Sequence, residues 1–306
     1  MAKKKIISII ILSWNTKKLL RQCLKSVVSD QWLVTRKKKP TTNHQLPTTE
    51  IIVVDNASTD GSPEMVEEMV TSTLHLIKNK KNLGYGAGNN QGMRKAKGDY
   101  FLLLNSDTLV KNKAPVKMAQ FLGQHPEVGA IGCKLLNQDG SDQPSFGLFP
   151  NLLVTLVMLF AEHWLGESFV RRSGDKVKET DWVMGAALMV KREAAEKAGP
   201  MDEGIFMYMD EVEWCRRIKK SGYRVMFYPG AEITHLGRGS SKTGRKDPIL
   251  NIYRGLIYFY KKHYPRWQLP ILRLMLKLKA AGTLLLGYLT NNQYLKETYG
   301  QALKIA

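Results

Sequence analysis

Apolar side chains fall along this chain in short blocks of two kinds. Residues 6–13 (IISIIILS) form an almost unbroken β-branched run, the pattern of a strand covered on both faces. Residues 17–28 instead repeat Leu19, Leu20, Cys23, Leu24, Val27 and Val28 at helical spacing. Strand-like blocks recur at 50–55, 74–78, 100–105 and 128–133. Helical stretches separate them. One opens with Ser62 as cap and Pro63 in the first turn. Another is entered through the glycine-rich residues 84–92 and ends near Ala96, and a third covers 115–123. Strands alternating with helices predict an α/β fold, a mostly parallel open sheet with helices on both faces. In such sheets ligands sit beyond the carboxyl ends of the strands. Here those ends carry Asn15, Asp55 and Asp107.

The rhythm changes after Pro150. Residues 152–160 are apolar but too short to span a bilayer. A second unit follows, with a strand at 182–191, helices at 192–198 and 211–220, and a strand at 223–228. Residues 29–49 are polar, with Arg36 and two prolines, and read as a surface loop. From residue 248 to 296 there is no Asp or Glu. Within that stretch Lys261, Lys262, Arg266, Arg273, Lys277 and Lys279 interleave with Trp267, Leu269, Ile271, Leu272 and Leu274. The expectation is a basic amphipathic helical segment lying on an anionic membrane, interrupted at Pro265 and Pro270. The alternative is a helix packed on the domain with a solvated basic face. The implied division is one domain over 1–247, with halves 1–135 and 136–247, followed by a tail over 248–306.

Charge sharpens this picture. The 306 residues hold 46 Lys and Arg against 27 Asp and Glu, a formal charge of +19. Such a surface attracts polyanions, whether nucleic acid, anionic membrane or phosphorylated substrates. Cys23, Cys133 and Cys215 are far apart, which suits neither a disulfide framework nor a zinc site and points to a reducing, cytoplasmic compartment. Lys3 to Lys5 followed by Ile6 to Leu12 looks briefly like a signal peptide. The apolar part is short, Trp14 and Asn15 interrupt it, and a buried first strand is the expectation.

Four constellations carry candidate chemistry. Asp55 ends a buried strand, placed either to accept a hydrogen bond from a nucleobase or ribose or simply to form a turn. Asp107 ends another, as a ligand for a diphosphate-bound cation or as a helix cap. Asp210 and Glu211 begin a helix after aromatic residues. They suit general-base work, since burial raises a carboxyl pKa, or only the helix dipole. His235 precedes Gly237, Arg238 and Ser240; imidazole would ligate metal and Arg238 would pair with phosphate. Gly84 and Gly86 lack the third glycine of a dinucleotide fingerprint, because Asn89 stands there, and no Walker lysine is present.

Taken in order, Ser13-Trp14-Asn15, residues 54–61 (VDNASTDG), Asn82-Leu83-Gly84-Tyr85-Gly86, Leu104-Asn105-Ser106-Asp107, Gly185-Ala186, residues 206–212 (FMYMDEV) and His235 resemble the family 2 glycosyltransferases. The similarity spans roughly 5–241, is nearest the bacterial rhamnosyltransferase branch, and implies the GT-A fold. It implies that Asp55 holds the nucleobase, with Ser13 and Asn15 in the same pocket and Asn82, Gly84 and Asn105 on the nucleotide. Asp107 would be the metal ligand of an Asp-x-Asp motif whose first position is here Asn105, with His235 beside it and Arg238 on the diphosphate. Trp182, Gly185 and Ala186 would face the acceptor. The family's usual Glu-Asp pair is reversed to Asp210-Glu211; register makes Glu211 the base and leaves Asp210 in contention. The implied chemistry is single-displacement, inverting sugar transfer from a nucleotide-diphosphate donor, assisted by magnesium or manganese. The expected acceptor is a hydroxyl of a glycan or lipid-linked acceptor of the cell envelope, and dTDP-rhamnose is the expected donor. Peripheral attachment to the inner face of the membrane is expected, and nucleic acid is not an expected partner. A nucleotidyltransferase and a non-catalytic polyanion-binding protein are the competing classes.

Overall fold

The computed structural model describes residues 5–29, 48–162, 170–237 and 246–306. Its centre is four parallel strands, β1 (Ile6–Ser13), β2 (Thr48–Asp55), β3 (Leu74–Lys78) and β4 (Tyr100–Asn105), in spatial order β4-β1-β2-β3. The register pairs Ser13 with Asp55 and Leu12 with Asn105, so three strand ends finish at one rim. Side chains alternate across the pleat. Ile9, Ile11, Val53, Leu102 and Leu104 meet the apolar stripe of α1 (Lys17–Ser29) and that of α4 (Ala114–Gln124). Ile10, Ile52, Val54 and Leu103 face the opposite layer.

Two short helices lie between these strands. In α2 (Ser62–Glu67) the cap is not Ser62, as the sequence suggests, but Gly61, at a left-handed φ of 79°. Ser62 is already helical, and Asp60 Oδ1 accepts from its backbone N–H and its hydroxyl. The glycine-rich run becomes α3 (Tyr85–Lys95), and a Cβ at Gly88 or Gly92 would run into Leu12 and Ile10 of β1. Close helix–strand packing is therefore what those glycines do.

The remaining strands are β5 (Thr108–Val110), β6 (Val128–Leu136), β7 (Asp142–Gln143), β8 (Phe146–Gly147), β9 (Arg171–Arg172), β10 (Lys178–Glu179), β11 (Trp182–Val183), β12 (Ala187–Lys191) and β13 (Arg224–His235). Where one strand was expected over 182–191, residues 184–186 break it in two. β11 joins a small sheet with β8 and β9, whereas β12 enters the main sheet antiparallel between β4 and β6. The strand expected at 223–228 runs on, irregular between Tyr228 and Glu232, and delivers His235 opposite Thr108.

Helices α5 (Leu152–Phe160), α6 (Arg192–Ala198), α7 (Asp210–Lys220), α8 (Lys246–His263), α9 (Gln268–Leu289) and α10 (Gln293–Ile305) complete the described chain. Leu250, Leu256, Phe259 and Tyr260 of α8 are buried in the same cluster as Trp214 of α7 and Leu188 of β12. Arg216 of α7 stacks on Phe149, Phe259 and Tyr264, at 5.3, 5.5 and 4.7 Å. Pro265 lies in the turn before α9, but Pro270 does not interrupt that helix. It occupies the first turn, where no intrahelical N–H bond is lost. No helix among the described residues is long and apolar enough to cross a membrane. All three cysteines are buried and unpaired with one another.

Candidate functional site

The rim where β1, β2 and β4 end borders an open cleft of about 250 Å³. Ser13, Asn82, Gly84, Asn105, Asp107, Gly185, Ala186, Asp210, Glu211 and His235 all line it. The fold thus brings together residues up to 222 positions apart, from Ser13 to His235. Three of the candidates lie elsewhere. Asn15 sits in the turn after β1, and Asp55 lies beneath the rim at 1% exposure. Trp182 is buried and gives its indole N–H to Leu148 O at 2.9 Å, so it braces the small sheet rather than facing the cleft. Arg238 lies outside the described residues.

Two turns interlock at one end. Asn15, at φ 53°, donates its N–H to Ser58 Oγ and accepts at Oδ1 from Thr59 N–H, both at 2.8 Å. Asp55 Oδ1 accepts from Ser58 N–H at 2.8 Å, while its buried Oδ2 has no hydrogen-bond partner among the described residues. Asn56, not anticipated, joins this turn to the next. Its side-chain NH₂ reaches Asn82 Oδ1 and Gly84 O, and its Oδ1 accepts from Asn79. The Asp-Asn-Ala-Ser run signalled a turn, but only the fold reveals that its second residue is a hub.

At the other end stand the acids of α7. Gly84, at φ 88°, leaves no room for a Cβ against the Phe206 carbonyl, and that carbonyl accepts from Tyr85 N–H at 2.8 Å. This seam sets the start of α3 against the approach to α7. Tyr208 and Met209, at φ 64° and 76°, turn the chain into the helix, a costly conformation for large side chains. Asp210 is 1% exposed; its Oδ1 accepts from Gly86 N–H at 3.2 Å and its buried Oδ2 has no partner among the described residues. Burial, and then the neighbouring Glu211 charge, push the Asp210 carboxyl well above the usual carboxylate range. Glu211 is pushed up by burial too, although hydrogen bonds from its own backbone N–H and that of Gly185 oppose the shift. Tyr85, also missed in the sequence, gives its hydroxyl to Gly185 O at 2.7 Å and so holds the peptide beside Glu211.

Between the two ends, His235 Nε2 lies 3.3 Å from Asp107 Oδ1. Gln143 gives its NH₂ to Asn137 Oδ1 and turns Oε1 to His235 Nδ1 at 2.7 Å. That orientation offers an acceptor to Nδ1 and turns Nε2 toward Asp107. Among the described residues no three His, Cys, Asp or Glu side chains gather as a closed metal site. One carboxylate oxygen beside one imidazole nitrogen nevertheless suits a divalent cation that draws its other ligands from a diphosphate and water.

Behind the site, Glu213 anchors α7. Burial alone would raise its carboxyl, but hydrogen bonds from His263, Arg217 and Lys262 prevail and hold it at about 2. Lys262 also pairs with Asp202, which Tyr258 contacts at 3.0 Å.

The glycosyl transferase family 2 model matches residues 8–198, more than half of the chain. A curated relative, the N-acetylglucosaminyl-diphospho-decaprenol L-rhamnosyltransferase of Mycobacterium tuberculosis, is 25% identical over 242 residues, 72% of this chain and 78% of that protein. Among solved structures, a mannosyltransferase from Pyrobaculum calidifontis with GDP-Man and Mn²⁺ superposes with a TM-score of 0.58 at 19% identity, covering 99% of this chain and 87% of that one. S. aureus TarS 1–349 with UDP-GlcNAc gives 0.57 at 15% identity, covering 98% and 80%. Those two likenesses carry the GT-A fold, and the family match, which runs from β1 through α6, makes this chain a member of glycosyl transferase family 2.

Proposed function

We propose that this glycosyltransferase moves a sugar from a nucleotide-diphosphate donor to a hydroxyl of a lipid-linked cell-envelope glycan, with inversion, and that Glu211 is the base. The observation that carries the assignment is the unequal setting of two adjacent carboxyls. Asp210 is locked under the start of α3 by Gly86 N–H and is almost without exposed surface. Both line the cleft, but Glu211 keeps some exposed surface where Asp210 keeps almost none. A base must touch the attacking hydroxyl, and Glu211 is the one of the pair with an open side.

The other residues take roles around it. Asp55, with its buried unpartnered oxygen, suits a nucleobase N–H, and the Ser13, Asn15, Asn82 and Gly84 turns surround that position. Asp107 and His235 would hold a divalent cation, magnesium or manganese, which when bound neutralises diphosphate charge and eases its departure. Asn105 stands beside them, its Nδ2 3.5 Å from His235 Nε2. Arg238 follows two residues after Leu236 and would add charge to the same phosphates. Gly185 and Ala186 form the acceptor edge. Glu211 takes the acceptor proton as its oxygen attacks the anomeric carbon, and one displacement inverts the configuration. The tuberculosis relative is named for L-rhamnose and a diphospho-decaprenol glycan, which supports a rhamnose donor and a lipid-linked acceptor; the dTDP carrier and the cytoplasmic membrane face rest on the family resemblance and the basic segment after residue 248.

The test incubates the protein with a panel of nucleotide sugars and Mn²⁺ or Mg²⁺, with a polyprenyl-diphosphate glycan as acceptor. The expected products are nucleoside diphosphate and a glycoside of inverted configuration, read by NMR. Release of pyrophosphate would assign a nucleotidyltransferase instead.

A further inference from the structure

Helix α9 is apolar on two sides. Leu272, Met275, Leu276 and Ala280 are buried against the domain. Trp267, Ile271, Leu274, Leu278, Leu285 and Leu289 are exposed, and their spacing of three, four or seven residues draws a second stripe down the outer side. Leu289 keeps 77% of its surface exposed. Helix α5 packs across α9 and is tied to α8 by Thr155 Oγ1 and Tyr260 OH at 3.0 Å. It too turns a row outward, Leu153, Leu156 and Phe160, three and four residues apart, with Leu153 65% exposed. A helix apolar all round is normally covered, and exposed apolar patches of this kind mark interaction surfaces.

We infer that the outer faces of α5 and α9 together form the surface that seats this enzyme on an anionic lipid bilayer. Charge selects lipid over a protein groove. Lys277 lies beside the stripe on α9 and Arg266 stands in the turn just before the helix, Arg273 between them reaches Ala306 O at 3.4 Å, and no acid occurs from 248 to 296. Basic residues beside an apolar stripe meet anionic headgroups while the stripe enters the acyl boundary. The buried inner side of α9 means the helix lies on the bilayer rather than through it. Helix α5 adds a purpose. Its lead-in is held by Trp182 through Leu148 O, and Trp182 stands three residues before Gly185 at the cleft. The bilayer surface and the acceptor edge therefore belong to one subdomain. The inference rests on the lipid-linked acceptor for this purpose, while the surface chemistry stands by itself.

The full chain is sedimented with vesicles of phosphatidylcholine, with and without phosphatidylglycerol, at low and high salt. Wild type is expected in the pellet with phosphatidylglycerol at low salt, and released by salt or by its omission. Leu274→Asp with Leu278→Asp, and separately Leu153→Asp with Leu156→Asp, should each lower partitioning by about tenfold or more, as expected when apolar contact with lipid is lost. Arg266→Gln with Lys277→Gln should weaken binding and flatten its salt dependence. Circular dichroism and thermal melting check that each variant is folded. Wild type staying in the supernatant, or folded double variants binding as wild type does, overturns the surface. A dimer of the lipid-free protein that those substitutions dissolve assigns the face to a second copy and also overturns it. Vesicle binding without any release of nucleoside diphosphate supports the surface and sinks the transfer reading instead.

Discussion

At the scale of single residues, the two acids at the head of α7 separate by environment. Glu211→Gln should lower turnover by about 10²–10⁴-fold, the usual worth of a general base, while leaving donor affinity unchanged by calorimetry. Because burial raises its pKa, the rising limb of the wild-type pH–rate profile should lie above the ordinary Glu value of about 4.3. Asp210→Asn should keep more activity and melt no lower than wild type at neutral pH. The folded Asp210 holds its proton more tightly than the unfolded chain does. Its contribution therefore falls as pH rises from the unfolded pKa through the raised one, and the variant's advantage in Tm should widen over that window. A dead, folded Asp210→Asn beside an active Glu211→Gln would reverse the roles. Asp107→Ala should abolish both turnover and the metal-dependent part of donor binding while circular dichroism is unchanged. Activity within about tenfold of wild type, roughly 1.4 kcal/mol of barrier, would remove Asp107 from the metal.

At the scale of elements, α7 is held from behind by charge as well as by packing. Glu213→Gln would leave Arg217, Lys262 and His263 facing one another with their shared carboxylate gone. Breaking a buried pair on one side costs about 3–5 kcal/mol, which urea unfolding at neutral pH should show. The folded pKa of about 2 lies below the unfolded value, so this stabilisation is full above about 4.3. It is lost as pH falls toward 2, and wild type and variant should converge there. Strands β1 to β4 were legible because each is a short, nearly continuous apolar run, and α1 because its 3.6-residue apolar period is local. The split of 182–191 was not. Residues 182–191 read as one strand, and the break at 184–186 depends on which sheets receive the two halves. Gln143 behind His235 and Tyr85 behind Gly185 were hidden for the same reason, since each partner lies about a hundred positions or fewer along the chain but in another element. Trp182, which the resemblance put on the acceptor side, is instead a brace, because its partner Leu148 is set by the tertiary fold.

At the scale of the whole molecule, the segment after residue 245 is part of the fold's foundation. Leu256→Ala should cost about 2–5 kcal/mol, as deletion of a buried leucine does. A chain cut ahead of α8 should be recovered without cooperative unfolding, because it would bare Trp214 and the β12 layer. Retention of a sharp melt would show that 246–306 is an appendage. The antiparallel entry of β12 has a consequence for how such an enzyme can diversify. Ala187 lies opposite Leu104, and Asn105 N–H donates to Ala186 O at 3.0 Å, so the strand that leads to Asp107 and the loop beside Glu211 share one ladder. All five residues of β12 are buried, so a single-residue insertion there would exchange its two packed faces and break the pairing that fixes Ala186 against Asn105. New acceptor preferences cannot arise by changing the length of that strand. Changes in chain length are better tolerated in the surface turns at 137–141, which lie outside that ladder.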